Sequence, residues 1–185
     1  EQTSLDSLLL AEVIHEAGVP PGVFKLVNGP GRVVGASIAE HPDVDMVSFT
    51  GSTMAGANVS KAAADTIKRV SLELGGKSAN IVLPSADLKD AVGRAVQGIM
   101  SNVGQTCTAG TRLLVPSDKV AEATRIAVEV AESIPLATSW DAPAPAIGPI
   151  ATKRQHAEIV RLISEGVKEG AKLETGGADR PDGVR

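Results

Sequence analysis

The chain has 185 residues, 43% hydrophobic and 22% charged, with a formal net charge of −4, which is the balance of a folded globular protein and argues against a disordered chain. That length holds one good-sized core or two small ones. Phe24, Phe49 and Trp140 are its only aromatic residues and no basic block is present, so base-stacking surfaces and nucleic acid as a partner are not expected.

In chain order, Ser4 is placed to cap a helix carrying Leu5, Leu9, Val13 and Ala17, which Gly18, Pro20 and Pro21 stop. A short strand is predicted over residues 23–27, running into Asn28-Gly29-Pro30-Gly31, with a small helix over 33–39. The pattern then repeats: a strand over 45–50, a glycine loop from Gly51 to Gly56, a helix over 59–68 and a strand over 69–74. Strand, glycine loop and helix in alternation imply parallel strands with crossover helices, part of a dinucleotide-type α/β sheet. Gly75-Gly76-Lys77-Ser78 breaks this rhythm, and a domain boundary is placed there. A strand opens over 80–83, and a helix follows in which Leu88, Ala91, Val92, Ala95 and Ile99 keep helical spacing. Beyond Thr106-Cys107-Thr108 come a strand over 112–115 and a helix over 119–133 with Val120, Ala123, Ala127 and Val130 inward. Pro135, Pro143, Pro145 and Pro149 make residues 134–149 a connection. A last amphipathic helix places Ile159, Val160, Ile163 and Val167 on one face and ends at Gly170.

Each candidate motif has two readings. Gly29-Pro30-Gly31 with Gly35 is close to a pyrophosphate-binding fingerprint, but no acidic residue follows at a ribose-binding distance, so a plain strand-to-helix turn stands beside it. In the second loop, Gly51, Ser52 and Thr53 sit where a helix N-terminus presents free N–H groups to an anion, or where a simple cap would sit. Gly76-Lys77-Ser78 is not a triphosphate loop, because the glycine needed five residues before Gly76 is Ser71. Cys107 is the single cysteine; no intrachain disulfide can form, and a reducing, cytoplasmic setting fits best. Its small polar neighbours favour a reactive thiol over a buried structural one, although a lone cysteine is often incidental. His15, His41 and His156 have no metal-ligand spacing with one another or with Cys107, so no metal site is predicted. No apolar run approaches the roughly 18 residues of a membrane span.

Three segments taken together resemble the aldehyde dehydrogenase superfamily in order and spacing: Val47-Ser48-Phe49-Thr50-Gly51-Ser52-Thr53, Leu72-Glu73-Leu74-Gly75-Gly76-Lys77-Ser78 and Gly104-Gln105-Thr106-Cys107. Glu16-Ala17-Gly18-Val19-Pro20-Pro21-Gly22-Val23, Gly148-Pro149 and Glu169-Gly170-Ala171-Lys172 extend the likeness over nearly all of the chain. The resemblance implies a longer parent, of which residues 1–74 form the later part of a Rossmann-like cofactor domain and residues 75–185 open the catalytic domain. A start at Glu1 and a turn-like stop from Gly176 to Arg185 agree with an internal piece.

The resemblance also implies roles. Cys107 is the nucleophile and Glu73 the base that activates water. Glu1 would hold the adenosine ribose hydroxyls, favouring NAD over NADP. Ser52 would contact the pyrophosphate, with Gly51 and Gly56 keeping that approach open, Gly31 on the adenosine side and Leu74 among the cofactor contacts. The substrate would be an aldehyde and the parent a homodimer or homotetramer, with the rest of the oxyanion hole outside these residues, so that the chain alone is expected to be inactive. Ala79 departs from the family's common proline, a tolerated turn change. The alternatives are a non-catalytic dinucleotide-binding homologue and an acyl-transferring, coenzyme A-dependent relative, which Glu73 disfavours.

Overall fold

The structure, a computed structural model, describes residues 2–137 and 146–179. Glu1, Trp140, Pro143, Pro145 and residues 180–185 lie outside the described residues. The chain divides into two compact units, Glu1–Gly75 and Gly76–Arg185.

The first unit opens with α1 (Ser4–Glu16), whose N-cap position is Thr3, with no side-chain cap bond. Ser4 is therefore the first helical residue and not the cap that its sequence position suggested. The strand expected over 23–27 does not form. Only an isolated bridge links Pro21 and Phe24, and Val23 and Val27 are exposed. A strand exists only through a partner, and beyond that bridge this segment pairs with none among the described residues.

A turn over 31–33 leads into α2 (Val34–Glu40), which buries Ala39. Next, β1 (Met46–Gly51), α3 (Thr53–Ala64) and β2 (Arg69–Leu74) form a strand–helix–strand unit whose strands pair in parallel from Met46 opposite Arg69 to Gly51 opposite Leu74. Parallel pairing requires a crossover of this kind. The helix begins at Thr53, six residues before the expected start at 59. The reason is the Ser52 side chain, which accepts a hydrogen bond from the Ala55 N–H at 3.2 Å and so caps the helix there. Gly56, read as loop, is a buried helical residue.

Between α3 and β2 the chain turns through Ile67, which has φ +56° and is 92% exposed. A β-branched residue in the left-handed region is strained by about 1–2 kcal/mol, and almost no side-chain burial offsets it. Ile67→Gly is therefore expected to raise stability by about 0.5–1 kcal/mol, the strain relieved less the backbone entropy of glycine. A urea midpoint that stays put or falls would contradict this.

The second unit repeats the pattern. Strands β3 (Ala79–Ile81) and β4 (Arg112–Leu114) pair in parallel across α4 (Leu88–Met100). The Asp87 carboxylate caps α4 by accepting from the Asp90 N–H at 2.9 Å. A tight left-handed turn, Ser101–Gly104, follows, and α5 (Val120–Ser133) packs back on α4. Val92, Val96, Ala123 and Ile126 form the buried centre, with Leu113 and Val115 against it. The spacing of Leu88, Val92 and Val96 on α4 keeps one apolar stripe toward α5. The final helix, α6 (Lys153–Lys168), is amphipathic but has no fully buried residue. On its exposed side Arg161 bonds both Glu158 and Glu165, and the bond from Arg161 holds the Glu158 carboxyl below its ordinary pKa. Among the described residues, no helix is long and apolar enough to cross a membrane, and no group of three or more His, Cys, Asp or Glu is placed to hold a metal ion.

Candidate active site

In the first unit, strand register brings Gly51, Glu73 and Leu74 to one end of a parallel pair, with Ser52 next in the chain. Thr50 lies opposite Glu73 and Gly51 opposite Leu74, so the segment that caps α3 and the segment that carries Glu73 emerge side by side. The carboxyl ends of parallel strands are where open α/β sheets hold their ligands. Burial alternates along β2, which leaves the Glu73 side chain exposed while Leu72 and Leu74 are half-buried on the other face.

Gly51 and Gly56 both sit under side chains of this unit. A Cβ on Gly51 would stand 2.5 Å from the Phe49 ring, and one on Gly56 would stand 2.7 Å from Leu74 Cδ2. Gly56 is thus the point where α3 closes onto β2. Alanine there gains about 1 kcal/mol of helix propensity but overpacks by about 1–3 kcal/mol. Gly56→Ala is expected to destabilise by a net of about 1 kcal/mol, and the loss should disappear in a Leu74→Ala background, where the opposing methyls are gone. Equal losses in both backgrounds would rule out this packing account.

Ser52 has its side chain engaged as the α3 cap, yet a hydroxyl that accepts from Ala55 still has its own proton to donate. The first-turn amides of Thr53 and Met54 have no acceptor within the helix. Gly31 lies in the turn before α2, where its carbonyl accepts from the Ala36 N–H at 3.1 Å; α2 in turn packs on α3. Glu1 lies outside the described residues.

Cys107 belongs to the second unit, in the loop between the turn at Ser101–Gly104 and β4. The Ala109 N–H donates to the Thr106 carbonyl at 3.2 Å, closing a four-residue turn in which Cys107 is the second member, and its thiol is exposed. Just before it, Asn102 (φ +50°), Val103 (φ +60°) and Gly104 (φ +68°) are successive left-handed residues. For the two that are not glycine this costs on the order of 1–3 kcal/mol each. Reciprocal bonds hold the bend: Asn102 Nδ2 donates to the Gln105 carbonyl at 3.0 Å, and Gln105 Nε2 donates to the Asn102 carbonyl at 3.3 Å. On the other side, Arg112 Nε donates to the Lys77 carbonyl at 2.7 Å, tying the start of β4 to the Gly75-Gly76-Lys77-Ser78 segment. Asn102 and Arg112 were not singled out by sequence; their only signal is position, five residues either side of Cys107.

Over residues 1–184 the chain matches the aldehyde dehydrogenase family model. The chain belongs to the aldehyde dehydrogenase family. It is 50% identical over 184 residues to a 3-succinoylsemialdehyde-pyridine dehydrogenase of Pseudomonas sp, which covers 100% of this chain and 38% of that protein. Among solved structures it is similar to an aldehyde dehydrogenase of Bartonella henselae, with a TM-score of 0.93 and 45% identity over 98% of this chain and 38% of the other. It is also similar to a cysteine-to-alanine mutant of aldehyde dehydrogenase C of Pseudomonas syringae, complexed with NAD+ and octanal, with a TM-score of 0.91 and 47% identity over 96% of this chain and 36% of the other. The α/β fold is that of aldehyde dehydrogenases, and the chain spans about 38% of the length of the relatives it matches.

Proposed function

We propose that the full-length protein oxidises an aldehyde to a carboxylic acid with NAD+, with Cys107 as nucleophile and Glu73 as base, and that Glu1–Gly75 serves the cofactor while Gly76–Arg185 carries the thiol. The observation that carries this reading is family membership over residues 1–184 combined with an exposed Cys107 just beyond a constrained bend. NAD+ is favoured because a relative 47% identical was solved with NAD+ bound, and because the residues here fit a dinucleotide. The 12-residue helix α3 offers the Ser52 hydroxyl and unpartnered first-turn amides toward an anion, at the carboxyl end of β1. Gly51, Gly56 and Leu74 set the shape of that end, and Gly31 and Glu1 are assigned to the adenosine side.

The chemistry asked of the protein residues is as follows. The Cys107 thiolate attacks the aldehyde carbon, forming a C–S bond and a tetrahedral thiohemiacetal oxyanion, for which the Cys107 backbone amide is a donor. NAD+, which the Ser52 and Gly51 end of the first unit would hold, would supply the acceptor for the hydride lost from that carbon, and Cys107 would then carry a thioester. Glu73 then takes a proton from water as the water oxygen bonds to the thioester carbon. Collapse of that second tetrahedral species breaks the C–S bond and releases acid and the Cys107 thiolate. Without the base, thioester hydrolysis has no proton acceptor, which is why Glu73 favours acid formation over acyl transfer to coenzyme A.

The test is direct. Full-length protein given NAD+ and aliphatic, aromatic and semialdehyde substrates should produce NADH and acid in equal amounts with at least one of them. No NADH with any of them, or NADH formed only when coenzyme A is present, would refute the assignment.

A further inference from the structure

The segment Gly148-Pro149-Ile150-Ala151 stands beside the left-handed bend that precedes Cys107, and neither the cofactor end of the first unit nor the proposed chemistry uses it. The Ala151 N–H donates to Gln105 Oε1 at 2.9 Å, a bond spanning 46 positions in sequence. Val103 Cγ2 lies 3.9 Å from where a Cβ on Gly148 would be, an ordinary van der Waals distance. Gln105 therefore has both ends of its side-chain amide engaged: Oε1 by the Ala151 N–H and Nε2 by the Asn102 carbonyl at 3.3 Å.

Three left-handed residues in a row, one of them valine, do not hold their shape unaided, because the local backbone preference runs against them. Such conformations persist where surrounding contacts over-determine them. The bonds between Asn102 and Gln105 are local and travel with the turn if it moves. The bond to Ala151 is different, because it ties the turn to a distant stretch of the same unit. Cys107 is two residues beyond Gln105, so a shift of the bend held by Gln105 is carried along the backbone to the residue that bears the thiol.

We propose that Gln105 is a positioning residue for Cys107, with the Gly148-Pro149-Ile150-Ala151 segment as the brace that holds the turn through it. This rests on the reading of Cys107 as nucleophile. Attack on a carbonyl is steep in geometry, and a displacement of about 1 Å can cost roughly 100-fold.

The test uses the full-length protein. Gln105→Met keeps the length of the side chain and removes both bonds, and Gln105→Glu keeps an oxygen acceptor for the Ala151 N–H while losing the donor to Asn102. Expected for Gln105→Met is a fall in kcat of about 10- to 100-fold with KM for NAD+ unchanged. Iodoacetamide modification of Cys107, read by mass on its own peptide, should change rate with it. Gln105→Glu should recover most of the loss. If the methionine variant is poorly folded, the glutamate variant alone decides: near-native kcat supports the brace, and a loss as large as that of Cys107→Ala overturns it. A Gln105→Met kcat within twofold of the parent, with Cys107→Ala inactive, overturns the brace and leaves the nucleophile standing. Turnover retained by Cys107→Ala overturns the nucleophile assignment, and the brace with it.

Discussion

Cys107→Ala is expected to reduce aldehyde oxidation by about 10⁴-fold or more, the scale on which removal of a nucleophile acts in covalent enzymes. The size follows from what is lost. No thiolate remains to form the C–S bond, and the residues that flank position 107, Thr106 and Thr108, carry hydroxyls that are poor nucleophiles without a base beside them. Alanine replaces an exposed side chain in a turn closed by the Ala109 N–H and the Thr106 carbonyl, so the fold should be untouched and the melting temperature unchanged. Binding of NAD+ should also survive, since the Ser52 and Gly51 segment belongs to the other unit. Turnover within tenfold of the parent would remove Cys107 from the mechanism.

Glu73→Gln should separate the two halves of the reaction. An amide cannot take a proton from water, so hydrolysis is expected to slow by about 10²–10⁴-fold while formation of the thioester proceeds. The signature is a rapid burst of NADH, close to stoichiometric with sites, followed by a slow steady state. An acyl adduct should accumulate on the Cys107 peptide. Because the Glu73 side chain is exposed at the end of β2, the amide is accommodated without a buried polar penalty, and a stability change is not expected. Loss of steady-state rate without a burst would move Glu73 into the acylation step; an unchanged rate would remove it altogether.

Much of this fold is legible in the sequence where one period dominates. β2 has its predicted limits, and β1, α4, β4, α5 and α6 lie within a residue or two of theirs, because two-residue or helical alternation persists through each. The faces are less legible. Val96 and Ile126 are buried although the predicted inward faces do not include them, whereas Val120, expected inward, is half exposed; helical spacing gives the stripe but not which flank the partner helix covers. The start of α3 was missed because Thr53, Met54, Ala55 and Gly56 carry no apolar period, and a serine beside glycine reads equally as loop and as cap. The segment 23–27 has strand-like residues without a strand, since pairing is a property of two segments. Left-handed Ile67 and Val103 are invisible for the opposite reason: residue type argues against the conformation, which at Ile67 comes with the helix-end bonds from the Ile67 and Lys68 N–H groups to Ala64 and Ala63. As for the candidate site, motif order named Glu73 and Ser52 separately, but their adjacency arises from the pairing of Thr50 with Glu73, which no local pattern contains.

The contact of Gly56 with Leu74 makes the first unit work as a linkage. The helix capped by Ser52 cannot slide or tilt toward β2 without pushing on Leu74, whose neighbour in the chain is Glu73. Close-packed interiors are stiff and pass such displacements on. A load applied at the front of the helix is thereby passed to the strand that carries the Glu73 carboxylate, so the proposed seat of the cofactor and the proposed base move as one part.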